Sequence, residues 1–174
     1  MGILSNQKSM LVGVMDMMVK NWKPYLGFVL FTEAVGALSG WLSRDGIRMY
    51  PNIASLAPLA PPGWVFPVVW VFLYALMGFG AARLWEAEPG RHRSAGLNLY
   101  VLQLVVNFFW SLIFFNAGNY GFAFVWLLLL LILASGMALA FSNVDSLAGR
   151  LQIPYLIWLL FAAYLNYTVW LKNP

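Results

Sequence analysis

The run Ala60-Pro61-Pro62-Gly63-Trp64-Val65-Phe66-Pro67-Val68-Val69-Trp70 decides how the chain is read, and no charged residue follows it until Arg83. Two adjacent prolines cannot sit inside a helix, because each lacks a backbone donor and pushes the preceding residue toward an extended conformation. They mark a boundary. Beyond them the sequence stays apolar and aromatic for about twenty residues, which as a helix spans roughly the 30 Å hydrocarbon core of a bilayer. Pro67 falls in or just past the first turn, where backbone donors lack intrahelical partners anyway. The stretch predicts a rigid, tryptophan-rich helix mouth at a membrane surface.

Composition agrees. A chain of 174 residues that is 62% hydrophobic and 9% charged has too little polar surface to cover a soluble globule. The expected fold is all-α, an integral membrane bundle with room for one domain. Cysteine is absent, which removes disulfides, thiolate nucleophiles and thiolate metal ligands. The net charge of +4 lies outside the apolar runs and reads as topology and contact with membrane lipid, not as nucleic-acid binding.

Working outward, residues 1–23 form an N-terminal tail. Leu11, Met15, Met18 and Trp22 recur at helical spacing, so the tail is either a short interfacial helix or without fixed structure. Residues 24–174 hold five predicted spans, at 25–42, 65–85, 95–115, 120–141 and from about Pro154 to about Leu171. The first contains Gly36-Ala37-Leu38-Ser39-Gly40, a small-residue stripe that lets another helix backbone approach. It also carries Glu33 near mid-span, where a carboxylate is costly. That carboxyl is expected to be protonated or to face a polar cavity, as a ligand or proton contact, with an inter-helix hydrogen bond as the simpler alternative. Residues 43–60 form a long, proline-stiffened connection ending at the helix mouth, which suits a lid. Residues 86–94 read as a charged loop and 116–119 as a tight turn.

Three spans carry polar or aromatic stripes. Trp70, Tyr74, Met77 and Ala81 share a face of the second, Gln103, Asn107 and Trp110 a face of the third, and Trp158, Ala162 and Asn166 a face of the fifth. The fourth aligns Trp126, Leu129, Leu130 and Leu133. Amides in an apolar span must be satisfied by protein, water or ligand. One cavity could collect Trp70, Trp110, Trp126 and Trp158 with Asn107 as polar anchor, a pattern suited to a small, planar, hydrophobic ligand. Tryptophans that merely pack the bundle or anchor it at the interface are the alternative. His92, the sole histidine, is read as a solvated loop residue, so no metal site is expected. Paired carboxylates, a Ser-His-Asp set and a phosphate loop are also missing from the pattern. Lys8, Lys20, Lys23, Arg83, Arg91, Arg93 and Arg150 flank one side of the spans and Arg44, Arg48 and Lys172 the other, which puts the N-terminus in the cytoplasm and the C-terminus outside.

The motif Pro61-Pro62-Gly63-Trp64-Val65-Phe66-Pro67-Val68-Val69-Trp70, with Leu73-Tyr74, Met77-Gly78, Gln103-Leu104, Asn107, Trp110, Phe114-Phe115, Pro154-Tyr155-Leu156-Ile157-Trp158, Phe161-Ala162, Leu165-Asn166-Tyr167 and Trp170, resembles the TspO/MBR family, the tryptophan-rich sensory and translocator proteins. The resemblance covers spans two, three and five in order. It implies a five-helix bundle, a homodimer, in a bacterial plasma membrane, with a pocket beneath the first loop for porphyrins such as protoporphyrin IX, for sterols and for benzodiazepine-site ligands, and no required cofactor. By motif, the ligand-binding positions are Phe66, Val69, Trp70, Asn107, Trp110, Trp126, Leu133, Trp158, Ala162 and Leu165. Leu165, Tyr167 and Lys172 fit a loose sterol pattern. Tetrapyrrole sensing or transport is the implied role. The alternatives are light- and oxygen-dependent porphyrin degradation with Trp70 and Trp158 as electron donors, and sterol or lipid transport. The chain departs from many relatives at Pro58-Leu59-Ala60, which lacks a tryptophan before the paired prolines, and at Glu33.

Overall fold

The computed structural model describes residues 22–50, 52, 57 and 59–173; most of the N-terminal tail lies outside them. The described residues are helical, with five long segments: α1 (Trp22–Leu42), α3 (Val65–Glu86), α4 (Arg91–Ser111), α5 (Tyr120–Ser142) and α7 (Ile153–Lys172). Two short helices, α2 (Arg44–Arg48) and α6 (Ser146–Arg150), lie in the connections. The long helices have the length and apolar character needed to cross a membrane. Their outward faces carry Leu30, Phe31, Val68, Phe72, Ile132, Leu139, Ile157 and Leu160, all exposed, as lipid contact requires.

Local chemistry sets the boundaries. The paired prolines end the first connection, and the Val65 N–H bonds the Pro62 carbonyl at 3.0 Å to close the turn that launches α3. α4 begins four residues earlier than its apolar run suggests, so His92 sits in its first turn and not in a loop. The reason is Arg93, whose guanidinium donates to the carbonyls of Leu84 (3.0 Å) and Trp85 (2.8 Å) at the end of α3 and lies over the Trp85 ring. That contact satisfies orphan carbonyls and draws the charged residues into helical register. α4 ends in a π-turn, Leu112–Asn116. The reversal into α5 then uses Gly118 at φ 60°, a left-handed conformation that glycine adopts without steric cost, and the Asn119 side chain caps α5 by accepting from the Phe122 N–H.

Helix α1 packs on α3, α4 on α5, and α5 on α7. α1 and α3 approach closely at Gly78, where an added Cβ would stand 2.6 Å from the Val29 Cα. The small-residue stripe on α1 does not make a comparable seam. Gly36 abuts the Tyr74 ring, and Gly40 faces open space. α1 is tied to α4 by the Thr32 hydroxyl against the Tyr100 phenol at 2.6 Å and by Ser39 donating to the Phe108 carbonyl at 2.9 Å.

The half of the bundle near the α3–α4 connection is solid. Met77, Ala81, Leu84, Tyr100, Leu104, Met137, Phe141 and Tyr155 are excluded from solvent there. At its edge the Arg83 guanidinium donates twice to Asp145 Oδ2, at 2.6 and 3.0 Å, and the other Asp145 oxygen caps α6 by accepting from the Ala148 N–H at 2.9 Å. The Arg83 hydrogen bond holds the Asp145 carboxyl below the usual carboxylate range. Its stabilising contribution is therefore complete above that range and is lost as pH falls through the lowered value. Asp145→Ala removes ion pair and cap together and should lower the unfolding free energy by about 2 kcal/mol. Asp145→Asn keeps the cap and should cost about half as much. Thermal unfolding in detergent at neutral and acid pH checks both, and the gap between wild type and Asp145→Asn should close on acidification.

Candidate functional site

The other half of the bundle is hollow. A chamber of about 920 Å³ lies between the C-terminal half of α1, the start of α3, the end of α4 and the middle of α7, within the usual size range of small-molecule sites. From α1 it is lined by Glu33, Gly36, Ala37 and Gly40, at helical spacings of three, four and seven. The stripe read as a helix seam thus makes room instead. α3 contributes Phe66, Pro67, Trp70, Val71 and Tyr74, α4 contributes Trp110, Ser111 and Phe115, and α7 contributes Trp158 and Ala162.

The first connection covers this space. Ile47, Arg48, Tyr50 and residues 60–63 form part of the wall, as a lid would. The Tyr50 hydroxyl donates to the Pro61 carbonyl at 2.9 Å, and its ring meets Phe66 edge-on at 5.0 Å. Burial raises the Tyr50 phenol above its ordinary value, so it remains a neutral donor at physiological pH. The lid is anchored to α4 as well. Gly46 lies so close to the Phe115 carbonyl that no Cβ fits, and just before the lid Asn116 donates to the Leu42 carbonyl at the end of α1, at 2.9 Å. A side recess of about 30 Å³ under the lid is walled in part by Trp110, Phe114, Leu165 and Val169.

Helices α3 and α7 meet across the chamber through aromatic rings and not by close backbone approach. Phe66 packs edge-on against Trp158 at 5.7 Å, and Trp70 against Tyr155 at 6.2 Å. Trp70 stacks on Tyr74 at 5.1 Å. Behind them runs a buried polar chain. Tyr74 donates to Asn107 at 3.5 Å, Asn107 to the Tyr155 hydroxyl at 3.0 Å, and Tyr155 to Gln103 at 2.9 Å. The two buried amides of α4, Gln103 and Asn107, are therefore satisfied by protein.

The positions expected from motif divide accordingly. Phe66, Trp70, Trp110, Trp158 and Ala162 line the chamber, and Leu165 lines its recess. Val69 and Leu133 pack against the core without lining either. Asn107, 2% exposed, stands one layer behind the wall. Trp126 does not join the other indoles. Its Nε1 donates to the Val106 carbonyl at 2.8 Å and pins α5 to α4. Trp110 also has a partner, Asn166 at 3.3 Å, whereas the buried Trp158 Nε1 has none among the described residues. Leu165 faces inward while Tyr167 and Lys172 are exposed, so the three do not form one surface. Sequence reasoning missed Tyr50, Ser111 and Phe115, because Tyr50 lies in the connection, and Ser111 and Phe115 lie where α4 passes into its π-turn and the period of Gln103, Asn107 and Trp110 breaks.

A sequence model of the TspO/MBR family matches residues 28–171. The chain is 38% identical to the translocator proteins of Ovis aries and of Homo sapiens, covering 90% of this chain and 94% of each relative. It is 35% identical to the tryptophan-rich sensory protein of Cereibacter sphaeroides, over 84% of this chain and 89% of that one.

The buried chain yields a stability test. Asn107→Ala strands the Tyr74 hydroxyl and removes one of two Tyr155 partners, at an expected cost of about 1–3 kcal/mol. The melting temperature should fall, while a mutation of the exposed Lys172 should leave it unchanged.

Proposed function

The chain belongs to the TspO/MBR family, and from that membership we propose that it is a receptor for porphyrins and related tetrapyrroles, serving their sensing or transport. It is an integral, multi-pass membrane protein, with five apolar helices long enough to span. The supporting observation is the chamber itself. Trp70, Trp110 and Trp158 stand on the wall of one apolar space under a lid, and indole faces stack on flat conjugated rings. Metal-free porphyrin is the favoured form, since the chamber wall carries no histidine or cysteine to act as an axial ligand, His92 lying in the first turn of α4 and not on that wall. The bias of Lys and Arg supports a cytoplasmic N-terminus, with the lid facing outward. Sterol transport has less support, because the residues of its loose motif are divided between the recess and the outer surface.

Titration with protoporphyrin IX, followed by tryptophan quenching, tests the reading. Trp70→Ala should weaken binding by about tenfold, the scale of a lost aromatic contact, while Trp126→Ala should leave affinity within about twofold. Equal effects would remove the support for the chamber as the site.

The stack of Trp70 on Tyr74 favours a second reading, oxidation of bound porphyrin by light and oxygen with indoles as electron donors. Illumination of the complex in air should then bleach the pigment faster than a Trp70→Phe, Trp158→Phe double variant does. Equal rates would leave binding as the function.

A further inference from the structure

Glu33 sits near the middle of α1, at bilayer depth, and its side chain lines the chamber. Its carboxyl makes no hydrogen bond and no ion pair among the described residues. The inter-helix hydrogen bond that would have given it a purely structural role is therefore missing among the described residues. The groups that share its wall do not supply a cation. Ser39 donates to Phe108, Tyr74 donates to Asn107, and Ser111 is neutral. The one other charged side chain on the wall, Arg48, lies in the lid and is paired with Asp45 at 3.3 Å. An ionisable group held at this depth without a partner is costly, and here it opens onto a space large enough for a ligand.

The surface beside it is aromatic. Gly36, one turn further along the same face of α1, abuts the Tyr74 ring, and Tyr74 is stacked with Trp70. A carboxylate next to aromatic faces, with no resident cation among the described residues, is the arrangement that recognises an organic ammonium, by charge-assisted hydrogen bonding on one side and cation–π attraction on the other. A divalent metal ion does not fit, since neither a six-oxygen shell nor a tetrahedral set can be assembled where no group of three acidic, histidine or cysteine side chains exists among the described residues.

We propose that Glu33 forms an ion-pairing subsite of the chamber and selects planar apolar ligands that carry a protonated amine. This goes beyond the porphyrin reading, since protoporphyrin carries propionates and no protonated amine, and rests only on the chamber as a site for planar ligands. The small residues Gly36, Ala37 and Gly40 leave the carboxyl accessible, and the indoles take up the ring system. Glu33 thus adds a subsite for a second class of ligand to a pocket otherwise selective only for shape and polarity.

The test uses the full chain in phosphatidylcholine nanodiscs at neutral pH, titrated with 9-aminoacridine, a cation, and with anthracene, a neutral molecule of similar ring size. Partition into empty nanodiscs is subtracted. Wild type should bind the amine about tenfold more tightly than the hydrocarbon, and Glu33→Gln should abolish that preference while anthracene affinity stays unchanged. A preference that persists in Glu33→Gln overturns the proposal, as does wild-type binding of both probes with equal affinity. If Glu33→Gln loses both probes, Glu33→Asp decides. Retained amine preference in that variant supports the subsite, and loss of the preference or of both probes overturns it. Failure of wild type to bind either probe overturns the subsite, and a failed protoporphyrin titration as well would take the chamber reading with it.

Discussion

A bundle that is hollow in one half must hold its walls apart by something other than close packing. Here that task falls to the buried chain from Tyr74 through Asn107 and Tyr155 to Gln103. It joins α3, α4 and α7 at fixed separation. Without water at this depth, each of these polar groups depends on the others for a partner, and a partly satisfied network is costly. The chain therefore marks the level at which the solid half gives way to the hollow one. Trp70, stacked on Tyr74 and edge-on to Tyr155, sits directly on it and is positioned by it.

The indoles divide by what their N–H groups do. Trp126 gives its donor to a backbone carbonyl on the neighbouring helix and serves packing. Trp110 gives its donor to Asn166 yet still presents surface to the chamber. Trp158 is held by ring contacts with Phe66 and Phe161 and not by a hydrogen bond among the described residues. Residues of one type in one membrane protein thus do structural work, site work or both, and the distinction lies in the partner of a single nitrogen.

The five spans were legible because bilayer thickness imposes a length on every apolar run, and because the paired prolines leave little freedom over where α3 begins. The wall positions on α3 and α7 were legible for the same reason: Trp70 with Tyr74 and Trp158 with Ala162 follow helical period. What lay hidden was tertiary. Nothing in the period of α4 shows that Asn107 spends its amide on Tyr155, nor that Arg93 reaches back to the end of α3. The stripe from Gly36 to Gly40 reads equally well as a seam or as vacant room, since a missing side chain permits both. Only the position of the neighbouring helix distinguishes them, and here α3 makes its close approach at Gly78 instead.

The solid half has a bearing on traffic. Among the described residues, a vestibule that ends on the tightly filled layer of Met77, Leu104 and Tyr155 is a cul-de-sac. A molecule that entered under the lid would have to depart by the route of its arrival or slip sideways between helices into lipid. Passage from one face of the membrane to the other would require the bundle to come apart along its best-filled layer.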